Sequence, residues 1–186
     1  MADKSGQYSL DDYRFPQVEV RLKLMEGPSY YSNEPLDNPD AAVQVMADVL
    51  KDLDREWVCT ILLDTKLRPV SWTVISIGSI NQSLAPIHNI FKAAILSNST
   101  YIILMHTHPS GDPAPSQQDI ELTKKVVLAG KLMNIEVIDH VILGCETGDI
   151  CSMRSLFPEL IKAPYEQKAA EELVSQGMRK KKAKER

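Results

Sequence analysis

The sequence predicts an α/β protein, a three-layer α-β-α sandwich with a mixed central sheet. Three observations carry this expectation. Short apolar runs of strand character alternate along the chain with amphipathic helical segments. Two of those runs sit close enough to pair as a hairpin. A chain of 186 residues with 44% hydrophobic content can bury one core of useful size, and it contains no internal repeat.

The elements follow in order. Residues 1–15 read as loose. Val18–Met25 (VEVRLKLM) alternates as a strand, and Glu26–Pro39 is a turn-rich connection. Pro39 opens a helix whose apolar face holds Ala41, Ala42, Val45, Met46 and Val49. WVCTILLD is a buried strand ending near Asp64. A turn at Lys66 leads into PVSWTVISIG, its hairpin partner. Pro86–Leu96 has helical spacing at Ile87, Ile90, Phe91, Ala94 and Ile95. Thr100–Met105 is a short apolar strand running directly into His106. A helix over Gln117–Met133 aligns Leu122, Val126, Ala129 and Met133. Ile135–Leu143 is a strand, Gly144 and Gly148 mark a turn, and a short strand follows near Asp149–Met153. Residues 165–182 read as a polar terminal helix.

The net charge of −4 is unevenly spread. The tail RKKKAKER carries +5, which leaves −9 on residues 1–178. An acidic body weakens the general case for nucleic-acid binding, and the tail reads as a solvated end. Three cysteines (Cys59, Cys145 and Cys151) form no CxxC pair, which points to a reducing compartment. There is no apolar signal segment and no run of about 18 apolar residues, so a cytoplasmic protein without a membrane span is expected.

The stretch HTHPSGDPAPSQQD, His106–Asp119, has two readings. Ser116-x-x-Asp119 is a helix-start pattern, and Pro113 and Pro115 suit the approach to a helix. That reading leaves His106 and His108 unexplained. On a strand, residues i and i+2 share a face, so two imidazoles there can reach one ion. Asp119, in the first turn of the next helix, can swing back toward the strand end. Two neutral nitrogens and a carboxylate suit zinc, with a fourth position left for water.

His106-x-His108, seven residues, then Ser116-x-x-Asp119 resembles the JAMM (MPN+) metalloprotease motif. The longer text through IDHVILG resembles the RadC-like branch of that superfamily, over about Asn38–Gly144. The resemblance implies an MPN/JAMM fold, which is cytidine-deaminase-like. It also implies Zn2+ held by His106, His108 and Asp119, and hydrolysis of a peptide or isopeptide amide bond. The motif's upstream glutamate falls on Glu56, which would serve as the base for the attacking water. Ser116 would donate to the oxyanion. One hydroxyl can scarcely cap a helix and serve an oxyanion in the same geometry. His140 recurs in the family text, where it reads as a core histidine or as support for the metal ligands.

The implied organisation has an extension over 1–37, a RadC-like JAMM domain over 38–155 and a helical extension with the basic tail over 156–186. RadC-like chains usually carry a helical DNA-associated region ahead of this domain. The residues before the resemblance lack a helix-hairpin-helix pattern, so a stand-alone catalytic domain is expected. A second departure is PIHNIF, where the family reads close to HPREVF. Ile87, His88 and Asn89 replace the family's residues, which puts specificity in question. The expected partner is a protein or peptide substrate. Two alternatives stand beside the hydrolase: a DNA-associated accessory protein with a regulatory or vestigial site, and a scaffold domain.

Overall fold

The computed structural model describes residues 35–50, 53–78 and 85–162, with Glu19 and Lys23 besides. Apart from Glu19 and Lys23, the strand expected at Val18–Met25 lies outside the described residues, as do the terminal helix expected at 165–182 and the basic tail.

Helix α1 (Pro39–Leu50) begins as its residues dictate. Pro39 takes the first helical position, and the Asn38 side chain accepts from the Ala41 N–H at 2.8 Å. Strands β1 (Trp57–Leu63) and β2 (Pro69–Ile77) form the expected antiparallel hairpin. Its turn is held by the Asp64 carboxylate, which accepts from the N–H groups of Lys66 and Arg68. Helix α2 (Ile87–Leu96) leads into strand β3 (Tyr101–His108). Helix α3 (Gln117–Met133) then leads into strand β4 (Glu136–Gly144). Strand β5 (Ile150–Ser152) and the single-turn helix α4 (Met153–Leu156) complete the described elements.

The sheet order is β2-β1-β3-β4-β5. Only the β3–β4 pair is parallel, and the other three are antiparallel, so the sheet is mixed. Each face is covered. Cys59, Ile61, Leu63, Ile103, Met105 and Val141 pack with α1 residues such as Met46 and Leu50. Val58, Leu62, Ile102, Leu104 and Val137 pack with Phe91 of α2 and with Leu122 and Val126 of α3. Period-two alternation in β1 and β3 produces these two faces. The expected three-layer sandwich is therefore the observed one.

The observed elements differ from the expected ones at several ends and in one added helix. Strand β3 runs on through His108, because β4 pairs with it as far as Gly144. Strand β4 starts at Glu136, because the Ile135 N–H bonds back to the Gly130 carbonyl after Asn134 closes α3 in the left-handed region. Helix α4 has no counterpart in the sequence reading. Its four residues are too few for a periodic signal, and the Ser152 side chain caps it by accepting from the Ser155 N–H.

One irregularity positions side chains. Ile102 pairs with Val137 and Ile103 with Asp139, so Ile138 is an extra residue in β4. After this bulge, His140 lies opposite Leu104 on the α2/α3 face. Asp139 turns toward Ser152, whose hydroxyl donates to it at 2.6 Å.

A candidate metal centre at the end of β3

His106 and His108 close the central strand on its α2/α3 face, one residue apart. The chain then turns tightly, with Gly111 at φ 80° and its N–H bonded to the His108 carbonyl. The loop after β4 braces this turn. The Cys145 N–H donates to the His108 carbonyl at 3.0 Å, and the Thr147 hydroxyl donates to the Gly111 carbonyl at 2.8 Å. Gly144 permits that approach, because a Cβ there would collide with the Gly111 carbonyl.

Helix α3 opens with a reciprocal cap. The Ser116 hydroxyl accepts from the Asp119 N–H at 3.2 Å, and Asp119 Oδ2 accepts from the Ser116 N–H at 2.7 Å. The Ser116 hydroxyl also donates to Oδ2 at 2.6 Å. These bonds occupy Oδ2 and leave Oδ1 facing the strand. Asp119 Oδ1 lies 3.0 Å from His106 Nδ1, yet neither atom is aligned in a hydrogen bond. His108 Nε2 stands 3.7 Å from Asp119 Oδ2. One potential ligand atom from each of the three residues lies within 4.8 Å of the others, so this group could hold a metal ion.

The donor set suits that use. His108 Nδ1 lies 2.7 Å from the Asp112 carbonyl, which can only accept. The proton therefore sits on Nδ1 and leaves Nε2 with a free lone pair. Both nitrogens of His106, together with Asp119 Oδ1, are fully buried without hydrogen-bond partners among the described residues. Unpaired buried polar atoms are costly, and a cation held between Asp119 Oδ1 and one His106 nitrogen would satisfy both. Burial pushes the Asp119 carboxyl up, but the His106 imidazole and the Ser116 donors outweigh it. The net effect holds Asp119 well below the usual carboxylate range, as a ligand requires. His106 and Asp119 are closed off, while 13% of the His108 side chain is exposed, so the group opens to solvent on the His108 side.

His140 lies behind the group. Its ring stacks near that of His106, with centroids 6.1 Å apart and planes 21° from parallel. Burial first, and His106 second, pull its pKa down to about 3, so it is neutral. Its Nδ1 meets the Thr123 hydroxyl at 2.7 Å, and that hydroxyl donates onward to the Asp119 carbonyl at 2.6 Å. The sequence reading left His140 between core and support roles and did not identify Thr123, whose partner is 17 positions away.

Glu56 immediately precedes β1, half-buried. Val58 pairs with His106, so extending the antiparallel register two residues sets Glu56 opposite His108. Alternation gives Glu56 the same face as Val58. Its carbonyl accepts from the Gly78 N–H at 2.9 Å, and the next N–H, of Trp57, donates to Thr107. The sequence reading missed Thr107, and its only signal was a place between the two histidines.

The other flagged residues fall elsewhere. Ile87, His88 and Asn89 form the first turn of α2, where the Asn89 side-chain oxygen Oδ1 accepts from the Lys92 ammonium at 3.0 Å. Cys145 and Cys151 are half-buried. Cys59 is buried, and desolvation pushes its thiol up to about 12. No helix among the described residues is long and apolar enough to cross a membrane.

Comparison with known proteins gives a consistent picture. The sequence profile of the RadC-like JAB domain matches residues 36–157. A UPF0758 protein of Chloroflexus aurantiacus is 44% identical over 110 residues, covering 59% of this chain and 48% of the relative. A UPF0758 protein of Roseiflexus castenholzii is 40% identical over 138 residues, covering 74% and 57%. One from Caldanaerobacter subterraneus is 39% identical over 127 residues, covering 68% and 54%. The chain spans about half the length of the curated relatives it matches.

Proposed function

We propose, for a chain that belongs to the RadC-like JAB domain family, a zinc-dependent hydrolase that cleaves a peptide or isopeptide amide bond. One observation carries this reading: buried, unpaired donor atoms of His106 and Asp119 converge with His108 within 4.8 Å. Two imidazoles and a carboxylate are a ligand set suited to zinc, with room for one further ligand. Zinc bound there would lower the pKa of a water toward about 7 and polarise the scissile carbonyl.

The remaining steps fall to the chain's own residues. Glu56, on the same face and opposite His108, takes the proton of the attacking water and returns it to the leaving amine. The exposed edge of His108 marks the side from which substrate approaches. In this structure the Ser116 hydroxyl gives its proton to Asp119, so its first task is to hold that carboxylate. It can donate to an oxyanion only by rotating away from Oδ2. The substrate is a protein or peptide, approached without a membrane, in a reducing cytoplasmic setting.

Metal analysis of the purified full chain is the direct test. Wild type should carry close to one zinc, and His106→Ala and Asp119→Ala should carry little. Glu56→Gln should keep the zinc and lose amide hydrolysis on a panel of peptide and isopeptide substrates. Less than a tenth of an equivalent of zinc in wild type, purified without chelator, would overturn the reading.

A further inference from the structure

A histidine that binds a metal normally donates its second ring N–H to an acceptor, which fixes the ring plane and the tautomer. His108 follows that pattern through the Asp112 carbonyl. His106 does not, since neither of its nitrogens has a hydrogen-bond partner among the described residues. Its ring is confined by two other rings. His108 stands across it at 4.7 Å with planes 89° apart, and His140 lies nearly parallel at 6.1 Å.

His140 is in turn tied down. The Thr123 hydroxyl has one proton, and it goes to the Asp119 carbonyl at 2.6 Å, because a carbonyl can only accept. Toward His140 the same hydroxyl therefore accepts, and His140 Nδ1 carries the donated proton at 2.7 Å. A single buried hydroxyl thus joins the backbone of one metal-site residue to the ring that flanks another. Thr123 and His140 are both essentially fully buried, so the chain of bonds is shielded from solvent.

We infer that Thr123 and His140 are positioning residues for the metal centre, Thr123 holding the first turn of α3 at Asp119 and His140 holding the plane of the His106 ring. The inference rests on the metal reading above. Neither residue touches the ion. Without the Thr123 hydroxyl, His140 loses the acceptor that orients it, and the Asp119 carbonyl loses a donor. The three ligands then have to be ordered at the expense of binding.

The test is zinc affinity of the full chain, stripped of metal and titrated against a chromophoric chelator. Thr123→Val keeps the side chain's shape without its hydroxyl and should weaken zinc by about 10–100-fold. Thr123→Ser keeps the hydroxyl and should stay within about threefold of wild type. His140→Leu breaks the same bond from the other side and should match Thr123→Val, so the test survives if either variant fails to fold. With cobalt(II) in place of zinc, the visible spectrum of Thr123→Val should shift relative to wild type. Wild-type zinc affinity in Thr123→Val or His140→Leu overturns the inference, as does a Thr123→Ser protein as weak as Thr123→Val. A wild-type chain that takes up no zinc overturns the metal reading itself, which separates the two failures.

Discussion

The backbone N–H of Trp57 donates to the Thr107 hydroxyl at 2.9 Å, joining the residue after Glu56 to the residue between His106 and His108. The two partners are 50 positions apart in sequence. The Gly78 N–H holds the Glu56 carbonyl at 2.9 Å, so the peptide unit between Glu56 and Trp57 is gripped from both sides. A catalytic base must stand at a set distance from the proton it removes. The backbone of Glu56, the proposed base, is here referred directly to the strand that carries His106 and His108.

Thr107→Val should therefore act on Glu56. It leaves the Trp57 N–H unpaired, at a cost of about 1–3 kcal/mol. Denaturant unfolding should show that loss, and Thr107→Ser should restore most of it. Zinc content should be unchanged while the hydrolytic rate constant kcat falls. A Thr107→Val protein with full kcat would detach Thr107 from the base.

Ser116→Ala removes a cap and a donor to the Asp119 carboxylate. Loss of the cap should cost about 0.5–2 kcal/mol of stability. If the hydroxyl also serves the oxyanion, kcat should drop by about 10²–10³ at saturating zinc. A rate left intact with the stability loss present would confine Ser116 to holding Asp119.

Gly144→Ala sets a methyl group against the Gly111 carbonyl, with backbone on both sides and little scope to yield. A cost of about 1–3 kcal/mol in thermal or denaturant unfolding is expected. The displaced turn carries the His108 carbonyl contacts, so zinc affinity should fall as well. Gly148→Ala, at φ 74° with open space around it, should strain only its own turn and leave zinc affinity alone.

The metal-free protein should lose stability in mild acid. His140 titrates near 6.5 when unfolded and at about 3 when folded, so between these values the unfolded chain binds the extra proton. Its contribution is complete above the unfolded value and is lost as pH falls toward the folded one. Asp119, held low in the folded chain, adds a loss in the same direction below its ordinary value of 3.8. Asp139, raised by burial, works the other way. The His140 contribution should appear as a slope of up to about 1.4 kcal/mol per pH unit between pH 6 and 4. His140→Leu should remove that slope, and equal slopes in the two proteins would refute the assignment.

Much of the framework was legible before the structure. Strand and helix periodicities located β1, β2, α2 and α3, and the i, i+2 spacing of His106 and His108 set them on one face. The seven-residue gap to Ser116 matched a turn and a cap, and that cap is formed. Hydrogen bonds set by register were not legible. Thr107 finds Trp57 only because β1 and β3 pair with Val58 opposite His106. Thr123 finds His140 only because α3 crosses back over β4. Helix α4 was too short to announce itself.

The extra residue in β4 has a consequence for insertions and deletions. Side chains on a strand change sides with each paired residue, so Asp139 and His140 take their faces because the bulge absorbs Ile138 without advancing the alternation. Removing Ile138 would leave both on their present faces in a regular strand, whereas one residue added after it would exchange them. A carboxylate would then sit beside His106 and an imidazole beside Ser152, with composition and hydrophobicity almost unchanged. In this strand the length of the segment, as much as the identity of its residues, decides which side chain borders the candidate metal centre.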